Sequence, residues 1–150
     1  MLPYTARGQV LTSLSVFAML ISMKKARTTM NEIEVVRDSA AAETAYRGMS
    51  RRVGFELESL RFSTSLIPPG KVSDWHHHGG RELFGYIISG QLKLEFGKGG
   101  AEAVVLGTGD FFRVPVGLVH RDVNKGAAAV LVVSFLTGAG SPLVNVTGPA

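Results

Sequence analysis

The sequence predicts an all-β domain, a sandwich or barrel of eight or nine short strands. Three observations carry that expectation. Eighteen glycines and six prolines in 150 residues punctuate the chain with turn signals. Between those signals lie runs of four to ten residues in which apolar and polar side chains alternate or β-branched residues dominate. No self-similarity at solenoid or propeller periods divides the chain further, and 150 residues suit one domain with a sizeable core.

Taken in order, "EIEVVR" (32–37) reads as a first strand, and "DSAAAETAY" after it as a short helical turn. "VGFELESLRFSTSLIP" (53–68) reads as two strands joined near Glu58. Further strands are expected in "LFGYIIS" (83–89), "QLKLEFG" (91–97), "AEAVVLG" (101–107), "DFFRVP" (110–115), "VHRDVN" (119–124), "AAAVLVVSFL" (127–136) and "PLVNVTG" (142–148). Ser89-Gly90 and Lys98-Gly99-Gly100 carry the residues of tight hairpin turns, and Leu92, Leu94 and Phe96 should share one face.

Composition narrows the chemistry. There is no cysteine, so disulfides, thiolate nucleophiles and Cys-ligated zinc are excluded; this composition is compatible with a cytoplasmic location. The net charge of +4 comes from Arg7, Lys24, Lys25 and Arg27, which precede the first acidic residue, Glu32; from Met30 onward twelve basic residues meet twelve acidic ones. A balanced domain gives no electrostatic reason to expect a nucleic-acid partner. Residues 1–29 are set apart as an N-terminal extension from a domain at 30–150. Val10–Met23 is apolar or small, yet about 14 residues is short of the roughly 20 a membrane-spanning helix needs. It reads as a mis-assigned start or extension, as a peripheral anchor or poor export signal, or as an ordered helix; no stable membrane span is expected.

The chemistry is concentrated in "WHHHGG" (75–80), which holds three of the four histidines. Residues two apart on a strand face the same way, so His76 and His78 can reach one interior ion while His77 points away. Around them the chain places Gly70, five residues, His76, one residue, His78, three residues, Glu82; later come Gly109, five residues, Pro115, one residue, Gly117, two residues, His120, three residues, Asn124. These two motifs, in this order, resemble the cupin family over residues 62–135. The second, "GDFFRVPVGLVHRDVN", matches at every fixed position; the first matches through the glutamate. The resemblance implies a double-stranded β-helix, a jelly-roll barrel with its ligand cavity inside. It further implies one divalent metal ion, Fe, Mn, Ni, Zn or Cu, held by His76, His78, Glu82 and His120.

Glu82 is in conflict with its own surroundings. The family pattern leaves six residues between glutamate and glycine, and "LFGYIIS" between Glu82 and Gly90 has seven. Counting back from Gly90 puts Leu83 in the ligand place; a bulge near Gly85 would reconcile the two anchors in favour of Glu82, and without it three histidines and water would make the site. Gly70, Gly90, Gly109, Pro115, Gly117 and Asn124 suit turns and their support. Trp75 could line the cavity mouth or simply pack. Arg81, Arg113 and Arg121 are candidates for holding an acidic substrate. By resemblance the protein acts on a small molecule as a dioxygenase-like enzyme, an isomerase or a lyase. The alternatives are a non-catalytic module that binds or senses a small ligand, and a barrel used only for assembly. Cupins commonly pair, so a homodimer is expected, with residues 32–37 and 143–147 as candidate edges.

Overall fold

Alternation and turn signals produce two facing antiparallel sheets. The computed structural model describes residues 32–150, of which Val36–Ala150 form one compact unit; the extension at 1–29, with Val10–Met23, lies outside the described residues. The strands are β1 (Ala42–Tyr46), β2 (Met49–Glu56), β3 (Leu60–Ile67), β4 (His76–His77), β5 (Gly80–Ser89), β6 (Gln91–Phe96), β7 (Glu102–Gly107), β8 (Phe111–Val114), β9 (His120–Val123), β10 (Val130–Ala139) and β11 (Val144–Asn145). One sheet has the order β1-β2-β3-β10-β5-β8 and the other β11-β4-β9-β6-β7.

Each sheet turns an apolar face inward. On β10, Val130, Val132, Ser134 and Leu136 are buried at alternate positions; on β5, so are Arg81, Leu83, Gly85 and Ile87. Leu92 and Leu94 of β6 meet them from the second sheet, and Ile87, Leu92, Val130 and Leu136 lose practically all contact with solvent. Burying a side chain of this size contributes about 1.5–3 kcal/mol. Ser63 and Ser134, buried on neighbouring strands β3 and β10, satisfy each other's hydroxyls at 3.1 Å.

Local expectations are corrected at three places in the chain. Residues 33–37 form no strand; a single 3-10 turn at Asp38–Ala40 leads into β1, so most of the alanine-rich piece is extended rather than helical. Glu43 and Arg52 are register partners and form an ion pair at 3.3 Å, which helps fix β1 against β2. Ser89-Gly90 is not a hairpin turn, because β5 pairs with β10 and β8 whereas β6 pairs with β7 and β9; the turn carries the chain from one sheet to the other. Lys98–Gly100 does close the β6–β7 hairpin, through a short 3-10 turn. Third, no bulge lies at Gly85: β5 runs in unbroken register with β10 from Gly80 to Ile87, and the irregularity falls at Ile88, opposite the Leu131/Val132 step.

Candidate metal centre

The second sheet brings the histidines together. His76 on β4 stands directly opposite His120 on β9, and His78 follows two residues on from His76, as the strand period requires. The chain reaches β9 through a turn closed by Leu118 N–H on the Pro115 carbonyl at 3.2 Å, with Gly117 at φ 72°, a backbone conformation costly for a residue with a Cβ. His76, His78 and His120 are all buried, and one ring nitrogen from each lies within 4.8 Å of the others. His77 faces away, its Nδ1 accepting the Gly79 N–H at 3.0 Å.

Hydrogen bonds select the tautomer of all three rings. Nδ1–H of His76 donates to the Asp74 carbonyl at 2.9 Å, that of His78 to Pro142 at 2.8 Å, and that of His120 to Leu118 at 3.0 Å. A carbonyl only accepts, so each Nδ1 carries the proton and each Nε2 keeps a lone pair. His78 Nε2 is buried without a hydrogen-bond partner among the described residues. A buried polar atom left in this way is costly unless something binds it. Burial lowers the pKa of His78 to about 4, with the neighbouring His120 and His76 acting in the same direction. His120 is lowered as well, chiefly by burial. Neutral imidazoles with oriented rings are the form in which histidine binds a metal.

Glu82 is not brought to this cluster. On β5 it alternates with the inward Arg81 and Leu83, faces outward, and forms an ion pair with the exposed Arg113 of β8 at 2.5 Å. The phase is set at Gly79-Gly80, where Arg81 N–H bonds the His78 carbonyl at 3.0 Å and Gly79 takes φ 60°. That turn leaves His78 and Arg81, three apart, both inside, so Leu83 rather than Glu82 reaches the cavity.

The histidines form part of the wall of a cavity of about 280 Å³ between the sheets. Leu83, Leu92, Phe112 and Val132 supply much of its apolar lining. None of the arginines singled out in the sequence lines it. Arg81 is buried, with Nε on the Gly140 carbonyl at 2.9 Å; Arg113 holds Glu82; Arg121 holds Glu95 at 2.6 Å and stacks over Trp75, 4.5 Å from its ring centre, so Trp75 packs rather than lining the mouth. The polar groups that do line it include Arg51, Ser65 and Asp122. Asp122 had a readable signal, since it lies two residues past His120 on the same strand. Arg51 had none, being one of two adjacent arginines near a strand centre.

Comparison with known proteins agrees with this geometry. The sequence pattern of the cupin domain matches residues 63–135. Residues 63–135 of the chain are a cupin domain. No curated protein matches it by sequence. Among solved structures, this cupin is similar to a conserved protein with a double-stranded β-helix domain from Klebsiella pneumoniae, at 19% identity and a TM-score of 0.63, covering 76% of this chain and 97% of that one. It is also similar to the polyketide cyclase RemF from Streptomyces resistomycificus, at 15% identity and TM-score 0.65, covering 77% and 86%. A third likeness, to the Bacillus subtilis oxalate decarboxylase OxdC, has 17% identity and TM-score 0.61 and covers 70% of this chain but 30% of that one. At these identities the likeness establishes the double-stranded β-helix, and the three histidines of this cupin could hold a metal ion.

Proposed function

We propose that this cupin is a metal-dependent enzyme acting on a small molecule, of the dioxygenase, isomerase or lyase type, with one divalent ion held by His76, His78 and His120. The observation that carries the reading is the shared orientation of the rings: three Nδ1–H groups tied to backbone carbonyls, so that the lone pairs remain on the three Nε2 atoms, at the wall of an interior cavity. A structural metal site is normally closed by protein ligands, whereas three histidines leave positions open. An ion bound there would act as a Lewis acid toward an oxygen ligand. The chain itself supplies the rest: it fixes the imidazoles and surrounds the ligand with apolar walls. The cavity volume lies near the lower end of small-molecule sites, which span roughly 300–1,000 Å³.

Glu82 is left out of this ligand set. Its carboxylate is engaged by Arg113, and reaching the ion would require β5 to change its pairing phase against both neighbours. Metal analysis of tag-free protein should therefore find about one divalent ion per chain. Occupancy should be lost in His76→Ala/His120→Ala and retained in Glu82→Gln. No uptake by the parent of any supplied first-row metal, or equal occupancy in the double variant, would refute the reading. Turnover of candidate substrates by the loaded protein, absent from the double variant, separates the enzyme from a ligand-binding module.

We also propose that the protein is cytoplasmic and forms a homodimer. Among the described residues, the edge strands β1 and β8 of one sheet and β7 and β11 of the other have no further strand paired to them, and Phe111 on β8 is 83% exposed. Light scattering across a concentration series tests the dimer, and a monomeric mass throughout would count against it.

A further inference from the structure

Opposite the histidines, across the cavity, the first sheet presents a half-buried cation that forms no ion pair among the described residues. The pleat of β2 separates two adjacent arginines. Arg52 turns outward and is held by Asp38 at 2.6 Å and by Glu43. Arg51 turns inward, in register with Ser65 on β3 and Thr44 on β1, all three lining the cavity. The other arginine of the lining, Arg61, is taken up by Glu56. Among the described residues Arg51 makes one side-chain hydrogen bond, from Nε to Ser65 Oγ at 3.1 Å, and no ion pair.

Such a guanidinium is short of one negative charge. It stays protonated at any physiological pH, so the cost of its partial burial cannot be relieved by losing the proton. Desolvation pulls its pKa down; the field of Asp122 opposes this from a distance, and the nearby Arg61 adds to it. A buried charge is tolerated when it is paired, and a guanidinium pairs best with a planar carboxylate that can take two N–H groups.

We propose that Arg51 is the anion anchor of the cavity, and that the molecule this cupin takes is a small monocarboxylate with a short apolar body. Its carboxylate sits on Arg51, and its other end points to His76, His78 and His120. Ser65 completes the anchor: its oxygen accepts from Arg51 Nε, which leaves its own O–H free to donate to the same carboxylate. Facing sheets lie about 10 Å apart, so the body between the two ends is only a few atoms long. Leu83, Leu92, Phe112 and Val132 surround it with apolar contact. A phosphate fits less well, because a single unpaired guanidinium balances one charge and Asp122 lines the same cavity. The orientation, though not the anchor, rests on the metal reading above.

The test is isothermal titration of the full, tag-free chain, metal-loaded and chelator-stripped. The probes are a series of small monocarboxylates from acetate to mandelate, each against its neutral amide, and inorganic phosphate. At least one carboxylate should bind the loaded protein tenfold or more tighter than its amide. Arg51→Met should lose that preference while retaining its metal, and Ser65→Ala should reduce it severalfold. In the stripped chain the preference for the carboxylate should persist at lower affinity, so failure of the metal site leaves the anchor measurable. The proposal is overturned if no carboxylate exceeds its amide, if phosphate binds more tightly than every carboxylate, or if folded Arg51→Met keeps the full preference. Should Arg51→Met not fold, the amide comparison on the parent and the Ser65→Ala result decide.

Discussion

His78 shows how one buried ring links stability to pH. In the unfolded chain it takes its proton near its ordinary value of 6.5; folded, it does so only near 4. Between those values the unfolded state binds more protons, so acidification favours unfolding. Its depressed pKa thus contributes stability that is fully present above about 6.5 and is lost as pH falls toward 4. The magnitude is on the order of 3 kcal/mol for His78, with His120 acting in the same direction. Denaturant titration of chelator-stripped protein should therefore show a midpoint that falls between pH 7 and pH 4. His78→Gln should flatten that profile in part. A midpoint independent of pH over this range would mean that His78 is not desolvated as described. Residue chemistry also separates the four expected ligands: the histidines share oriented rings, whereas Glu82 already has a partner in Arg113.

At the scale of elements, the site depends on how the strands are tied at their ends. Asn124, fully buried just after β9, donates from Nδ2 to the carbonyls of Ile67 and Ala128, both at 2.9 Å, and accepts the Gly126 N–H at 3.0 Å. It fastens the end of β3 to the connection between β9 and β10. The sequence assigned Asn124 to turn support, and these bonds show what it supports. Asn124→Ala would leave those three backbone groups without their partner, at a cost of about 3 kcal/mol, or roughly 10 °C in Tm for a domain of this size. Thermal unfolding followed by circular dichroism checks this, and a loss under about 1 kcal/mol would show that water replaces the side chain. Metal uptake at low temperature should survive, since none of these hydrogen bonds of Asn124 involves a histidine.

At the scale of the whole molecule, the core and the candidate centre belong to one unit, Val36–Ala150. The core residues, the three histidines and the cavity lining all fall within it. A chain starting at Met30 should accordingly unfold in one cooperative step with the midpoint of the full chain, and should take up the same amount of metal. Differential scanning calorimetry of the two chains makes the comparison. A loss of several degrees or of soluble protein on truncation would show that residues 1–29 contribute to the fold.

What the sequence determined by itself was local. Period-two alternation and turn residues placed nearly every strand from β2 to β10, because side-chain direction along a strand and the backbone demands of turns are set within a few residues. The same period put His76 and His78 on one face, and the second motif supplied His120. Only the tertiary structure decided what depends on pairing between distant segments. It sent β5 and β6 to different sheets across Ser89-Gly90, left residues 33–37 without a strand partner, and selected Arg51 over Arg52 through register with Ser65. It also turned Glu82 outward, toward Arg113. The turn at Gly79-Gly80 resets the alternation between His78 and Arg81, and because neighbouring side chains on a strand face opposite ways, one residue of phase is enough to exchange the inside for the outside.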